Sequence, residues 1–190
     1  GRQVVLPINR MPSDRKPKKP DGESFDWGGF DVPDSDFGDT QITSWTMEKL
    51  QGGLGDEKPF FLGVGYYRPH IPLFAPQKYF NRFKGAPGKL PFVVTDDLKD
   101  VGPIASKWAR DPVTAGSHET VLKHRQWRAA VEAYLACTTY VDYEIGRLLE
   151  TLDKSNASQD TWIVLWSDHG WHLGEKEHWG KWTGWERSTK

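Results

Sequence analysis

The chain has 190 residues, which is enough for one domain with a sizeable core, and its formal net charge is -1. That balance gives no overall field to recruit nucleic acid or an anionic membrane surface, so neither is expected as a partner. No stretch approaches the length of a membrane span, and the single cysteine, Cys137, excludes an internal disulfide and a thiolate metal cluster.

The first predicted helix begins near residue 40. Asp39 or Thr40 is expected to cap it, because short polar side chains accept hydrogen bonds from the free amides of a first helical turn. The helix continues to Gln51, where Gly52 and Gly53 end it. Its expected apolar positions are Ile42, Trp45, Met47 and Leu50.

A wholly apolar run at residues 59–66 comes next and predicts a strand that is buried on both faces of a parallel sheet. It leads directly into a loop in which Pro69 and Pro72 restrict the backbone on either side of His70. His70 is therefore expected to be held rigidly beyond the carboxyl end of this strand. Residues 84–117 are rich in proline and glycine and predict an irregular excursion.

The strongest helix signal lies at residues 119–154, where apolar side chains recur at spacings of three and four behind Ser117 as the cap. Glu144 is among the charged side chains expected to face solvent. A second wholly apolar run, residues 162–166, predicts another buried strand. A long helix between two buried strands is typical of a right-handed crossover unit, so the sequence predicts an α/β fold with a mostly parallel sheet.

The chemically unusual stretch begins directly after this second strand, with Asp168 and His169. Residues 167–182 combine that aspartate with three imidazoles, two lysines and three tryptophans. Ligands gather beyond the carboxyl ends of strands in open parallel sheets, and this set of side chains suits a metal ion and a polyanion beside an aromatic wall. The alternative is that Asp168 caps a turn and that the histidines are solvated loop residues.

Two long motifs carry a family resemblance. Residues 58–72 read Lys-Pro-Phe-Phe-Leu-Gly-Val-Gly-Tyr-Tyr-Arg-Pro-His-Ile-Pro, and residues 167–175 read Ser-Asp-His-Gly-Trp-His-Leu-Gly-Glu, followed by a Trp-Gly-Lys that ends at Lys181. In these motifs the chain resembles the formylglycine-dependent sulfatases of the alkaline phosphatase superfamily, and within them the iduronate-2-sulfatase-like branch. The resemblance implies an alkaline-phosphatase-like α/β/α sandwich, of which residues 1–190 would form part of the catalytic domain.

The resemblance also implies hydrolysis of sulfate esters, with sulfated carbohydrate as the expected substrate and a secreted, periplasmic or lysosomal location. Asp168 and His169 are expected to bind a divalent cation, Ca²⁺ by resemblance, with Mg²⁺ or Mn²⁺ as alternatives. Lys181 is expected to contact the sulfate, and His70 to hydrogen-bond it or protonate the departing alcohol. Four further side chains are expected to line the pocket for the leaving group: Trp171, His172, Tyr67 and Arg68.

Simpler roles are also open for these residues. Lys181 can be a solvated loop residue, and His70 can be a structural residue between prolines. Arg68 suits a carboxylate or a second sulfate on the substrate, and a plain surface charge is its alternative.

The nucleophile of these enzymes is absent from its expected place. It is a formylglycine made from the Cys or Ser of a C-x-P-S-R type motif, whereas Pro12-Ser13-Asp14 has neither the Cys nor the Arg. Cys137 lies in a helical pattern without that context. Two further metal-binding carboxylates are also expected from an earlier segment. The sequence is therefore interpreted as an internal part of a sulfatase that is inactive alone, with the formylglycine outside it.

Two other functions are open at this point. A phosphodiesterase or phosphonate hydrolase of the same superfamily would use one metal and one lysine for phosphoryl transfer in the same way. A non-catalytic module would instead hold an anionic glycan with Trp171, Trp179, Trp182 and Lys181. The sequence sets no oligomeric state for any of these.

Overall fold

The computed structural model describes residues 5–12, 25–85, 90–112 and 116–190, so Ser13 and Asp14 of the nucleophile argument lie outside the described residues. The elements in chain order are β1 (Trp27–Phe30), α1 (Gly38–Gln51), β2 (Leu73–Pro76), α2 (Gln77–Asn81), α3 (Pro103–Arg110), α4 (His118–Lys123), α5 (Trp127–Asp153), β3 (His172–Leu173), β4 (Trp179–Gly180) and α6 (Glu186–Thr189). Within these ranges, no helix has both the length and the apolar character needed to cross a membrane.

The core lies where α5 crosses β1 and β2. These two strands pair in parallel, with Trp27 opposite Leu73. Helices α1 and α2 pack on the same long helix. One face of α5 carries buried small side chains, which let the helix approach the strands closely: Ala130, Ala133 and Ala136. The predicted α/β class with a parallel sheet is therefore confirmed.

The two apolar runs predicted as buried strands are not strands in this structure. Residues 59–66 and 162–166 have no strand partner in the described part of the chain. Phe61 and Trp162 are 96% and 95% exposed, and every side chain of 162–166 is exposed. An apolar run indicates that a segment suits a sheet interior, but it does not say which segment covers it. The parallel strands that do pair, β1 and β2, lie elsewhere in the chain.

The predicted helix at 119–154 is two helices, because the chain breaks between α4 and α5. Arg125 adopts a left-handed conformation with φ 56°, which a continuous α-helix does not accommodate. The cap is confirmed, since the Ser117 hydroxyl accepts a hydrogen bond from the Thr120 amide at 3.2 Å. Glu144 was expected to face solvent, but it is fully buried, where it contacts Thr40 and Arg147.

Helix α1 buries a polar face. It begins at Gly38, with Phe37 in the cap position, so Asp39 lies inside the first turn and the predicted caps are wrong by two or three residues. Its end before Gly52 is confirmed. Of the expected apolar positions only Leu50 is buried, while the other buried side chains are Asp39, Thr40, Thr43 and Thr46.

The polar face of α1 contacts α5 through a buried network. The Thr40 hydroxyl donates to Glu144 Oε1 at 2.8 Å, and Arg147 Nη1 lies 2.6 Å from Glu144 Oε2. Because the one hydroxyl proton of Thr40 goes to Glu144, the Tyr140 hydroxyl donates to Thr40 Oγ1 at 2.8 Å. Burial raises the pKa of Tyr140 to about 12, so it is a donor at neutral pH. These bonds explain why a charged side chain is stable at this buried position.

Candidate active site

The loop that follows residue 166 is organised by a short antiparallel hairpin. Strands β3 and β4 pair His172 with Gly180 and Leu173 with Trp179. Gly174 makes the turn with φ 114°, and a Cβ there would lie 2.8 Å from Cε1 of His118. Only glycine satisfies both the backbone angle and the close approach. The hairpin brings residue 181 back beside residue 169.

Three of the predicted site residues meet at this point. Lys181 Nζ lies 2.9 Å from His169 Nε2, and that nitrogen lies 3.3 Å from Asp168 Oδ2. The other ring nitrogen, Nδ1, lies 2.8 Å from the Gly170 carbonyl oxygen, to which it donates. A ring in this tautomer has its lone pair on Nε2, so the lone pair faces the lysine and the aspartate.

Asp168 and His169 fit as part of a cation site. The Asp168 carboxylate is 81% exposed, and a hard divalent ion prefers such oxygen ligands. The backbone contact at Nδ1 is the kind of support that orients a metal-binding imidazole. In the part of the chain that the structure describes, no group of three or more His, Cys, Asp or Glu side chains is placed to hold a metal. If they bind a cation, these two residues would supply only part of its ligand set.

The short helix α6 fixes the backbone of the same loop. The Gly170 amide donates to the Ser188 carbonyl oxygen at 2.9 Å. A Cβ at Gly170 would lie 2.1 Å from the carbonyl oxygens of Arg187 and Lys190. The glycine is thus needed for close approach of the backbone rather than for an unusual φ angle. This contact places the backbone that follows Asp168 and His169 directly against α6.

His172, predicted to bind the leaving group, is fully buried. Its Nδ1 lies 3.0 Å from the Glu175 carbonyl oxygen and its Nε2 lies 3.1 Å from the Thr183 hydroxyl. Burial lowers the pKa of His172, because a charged ring would lose its hydration. This geometry gives the ring a role in holding the loop, and its contact with a substrate stays a prediction.

The three tryptophans of the loop differ in how they are placed. Trp179 is only 3% exposed, and its indole N–H donates to Nδ1 of His118 at 3.0 Å. Trp171 packs against the core, and its indole nitrogen is buried without a hydrogen-bond partner among the described residues. Trp182 is largely exposed. A glycan platform needs open aromatic faces, so the Trp179 geometry argues against the binding-module alternative.

The second motif forms a compact loop around His70. The Arg68 guanidinium donates from Nε to the Phe74 carbonyl oxygen at 2.6 Å and from Nη1 to the His70 carbonyl oxygen at 3.0 Å. The Tyr67 hydroxyl donates to the Ile71 carbonyl oxygen at 3.1 Å. Arg68 thus uses two of its five N–H groups within the loop and keeps three for other partners. The predicted roles of Tyr67 and Arg68 in substrate binding stay predictions.

The two loops flank the same part of the core. The ring centroid of Phe25 lies 5.6 Å from that of Trp179 and 5.2 Å from that of Trp27. Trp27 in turn pairs with Leu73, which follows His70 by three residues. These contacts join the hairpin to the start of β2, and the convergence of the two loops on one sulfate group stays a prediction.

Sequence reasoning missed several residues that support these loops. Asp39 accepts hydrogen bonds from the backbone of the His70 loop, although it was interpreted as a helix cap. His118 accepts the Trp179 indole N–H and was not singled out. The ring of His178 bridges the carbonyl oxygens of Ala109 and Lys181, each at 2.7 Å. No sequence pattern marks these long-range contacts, because each partner is more than 20 residues away or lies in a loop.

Comparison with known proteins identifies relatives that match most of this chain. The sequence model of the Sulfatase family matches residues 11–190. A sulfatase of Formosa agariphila is 40% identical over 165 residues, which cover 87% of this chain and 32% of that protein. Human iduronate 2-sulfatase is 30% identical over 170 residues, covering 84% of this chain and 30% of that protein. The multifunctional alkaline phosphatase superfamily protein PehA of Trinickia caryophylli is 31% identical over 174 residues, covering 85% and 34%. The chain thus spans about a third of the length of these relatives.

Proposed function

Since the chain belongs to the sulfatase family, we propose that it forms part of the active site of a longer enzyme that hydrolyses sulfate esters of carbohydrate. The observation that carries the proposal is the meeting of Lys181, His169 and Asp168 within hydrogen-bonding distance. An ammonium beside a carboxylate and an imidazole lone pair suits a site for a divalent cation and an oxyanion together. Residues 1–190 would be the part of the catalytic domain that supplies this half of the site.

In the proposed mechanism Asp168 and His169 hold a divalent cation, Ca²⁺ by family resemblance. Such an ion supplies Lewis-acid stabilisation of negative charge on the sulfate oxygens. Lys181 contributes a second positive charge where that negative charge grows in the transition state. The nucleophile, a formylglycine in the enzymes that this chain resembles, would come from outside these residues, as would the remaining metal ligands.

His70 is proposed to protonate the departing alcohol. Its Nδ1 lies 2.5 Å from the Ile71 carbonyl oxygen, and the Tyr67 ring lies 4.7 Å away, so the ring orientation is fixed on two sides. With Nδ1 engaged, Nε2 is the nitrogen left to exchange a proton with the substrate. Tyr67 and Arg68 lie beside it and are proposed to contact the leaving group, together with Trp171. For His172 the buried geometry favours support of this pocket over direct contact.

The experiment uses the encoded protein that contains this chain and its flanking sequence. We expect it to release sulfate from an aryl sulfate and from a sulfated oligosaccharide faster than it cleaves a phosphate diester. Lys181→Ala should lower kcat/KM by about 100-fold or more, because a preorganised charge at the reacting group is lost. Lys154→Ala is the matched control, since this exposed lysine pairs with Glu150 at the end of α5 and should leave the rate unchanged.

Any of three results would overturn the proposal. Faster cleavage of phosphate diesters than of sulfate esters would favour the phosphodiesterase alternative. An active enzyme whose rate is the same with Lys181→Ala would remove Lys181 from the reaction. Sulfated glycan binding without any turnover would favour the non-catalytic module.

A further inference from the structure

The first turn of α1 contacts the His70 loop through one buried carboxylate. Asp39 is 4% exposed, and its two oxygens accept from consecutive backbone amides. Oδ1 accepts the Tyr67 N–H at 2.8 Å, and Oδ2 accepts the Arg68 N–H at 3.0 Å. Bonds from N–H groups to a carboxylate are stronger than bonds between neutral groups, and a carboxylate in a first helical turn is further stabilised by the helix dipole.

The two residues held by Asp39 are the ones that hold His70. The His70 amide donates to the Tyr67 carbonyl oxygen at 3.0 Å, and Arg68 Nη1 donates to the His70 carbonyl oxygen at 3.0 Å. The Tyr67 hydroxyl donates to the Ile71 carbonyl oxygen, which also lies 2.5 Å from His70 Nδ1. Both the backbone and the ring of His70 are therefore tied to groups that Asp39 fixes.

Helix α1 is itself anchored, so Asp39 has a rigid base. The Thr43 hydroxyl lies 3.1 Å from the Tyr66 hydroxyl, next to the held amides. The adjacent Thr40 joins α1 to α5 through Tyr140 and Glu144. A displacement of the first turn of α1 would therefore be transmitted to the loop at residues 67–68 and from there to His70.

We propose that Asp39 is a positioning residue for His70, which sets the orientation of the imidazole without touching the substrate. This role rests on the proposed sulfatase function. Asp39 acts through Tyr67 and Arg68, and replacing it with Asn exchanges one acceptor oxygen for an N–H₂ group that cannot accept. One of the two loop amides then loses its partner, and the loop gains freedom at the residues that brace the ring.

The test compares Asp39→Asn with Asp36→Asn in the encoded protein that contains this chain. Asp36 is exposed and lies just before α1, so it is a matched loss of one negative charge. We expect Asp39→Asn to lower kcat by about 10- to 100-fold while KM changes little, because misorientation of a catalytic group affects the chemical step. The pH dependence of kcat should also change, since His70 would occupy more than one orientation.

Two readouts do not depend on activity. Amide hydrogen exchange at Tyr67 and Arg68 should accelerate in Asp39→Asn and stay slow in the control. The ¹⁵N signals of the His70 ring should show a second tautomer, because the contact between Nδ1 and the Ile71 carbonyl oxygen would be partly lost. If the unsubstituted protein hydrolyses no sulfate ester, the proposed function fails, and these two readouts still decide the role of Asp39.

Unchanged exchange and unchanged ring signals in Asp39→Asn would overturn the positioning role, as would a kcat equal to that of the unsubstituted enzyme. If Asp39→Asn does not fold, Asp39→Glu is the second variant, because it keeps the charge and both oxygens but displaces them by one methylene. A lowered kcat with the fold retained would support the role. A kcat unchanged in Asp39→Glu would overturn it.

Discussion

The ion pair between Glu144 and Arg147 makes a quantitative prediction about stability. Glu144 is fully buried, whereas the Arg147 side chain is 27% exposed. At a separation of 2.6 Å the pair attracts by about 6 kcal/mol with an effective dielectric constant of about 20. Desolvation offsets part of this attraction, but Arg147→Met would leave a buried carboxylate with no countercharge. Losing one partner of a buried pair typically costs about 3–5 kcal/mol, and the partial exposure of Arg147 places our expectation at about 3 kcal/mol.

Urea unfolding followed by far-UV circular dichroism measures this loss. With a slope of about 2 kcal/mol/M, Arg147→Met should lower the urea midpoint by about 1.5 M. Lys154→Met is the control, since it breaks an exposed pair on the same helix and should leave the midpoint unchanged. The double variant Glu144→Gln/Arg147→Met should recover much of the loss, because no buried charge remains. A loss below about 1 kcal/mol for Arg147→Met, or a double variant as unstable as the single one, would refute the reasoning.

Three further predictions follow from the buried groups and the close backbone contact. Burial lowers the pKa of His172 and of His118, so the unfolded chain binds more protons below about pH 6.5. The free energy of unfolding should therefore be highest above that pH and fall on acidification by up to about 1.4 kcal/mol per pH unit for each ring. The thermal midpoint should fall with it, and a flat profile would contradict this. Burial raises the pKa of Cys137 to about 12, so a thiol reagent should label it only after unfolding, and rapid labelling of the native protein would contradict its placement. Gly170→Ala should displace α6 and speed tryptic cleavage after Arg187. The control Gly184→Ala should not, because no atom lies within 4 Å of the added Cβ. Equal cleavage rates in the two variants would exclude the close contact at Gly170.

The sequence was most informative where motif and chemistry coincide. The meeting of Asp168, His169 and Lys181 could be predicted because all three lie within one short stretch that a hairpin closes. The rigid surroundings of His70 followed from its prolines and agree with the bonds in that loop. Both predictions depend on local geometry, which residue order largely determines.

The failed predictions concern partners that are distant in sequence. Glu144 is charged and was expected on the solvent side, yet Thr40, over one hundred residues earlier, makes its burial possible. The runs 59–66 and 162–166 are apolar enough for a sheet interior, but no described segment pairs with them. A hydrophobic pattern predicts that a segment will be buried, but it does not identify the residues that pack against that segment.

The threonine-lined face of α1 affects how the molecule tolerates change. An apolar helix face can shift by part of a turn and form new contacts of similar energy, because dispersion forces have little directionality. The bonds of Thr40 and Thr43 to Tyr140 and Tyr66 hold only in one alignment of the helix. Replacement of these threonines with valine would preserve volume but erase that alignment. Helix α1 is therefore fixed in one alignment against α5 and the His70 loop. Its solvent-facing side can be altered by evolution or design far more freely than its buried side.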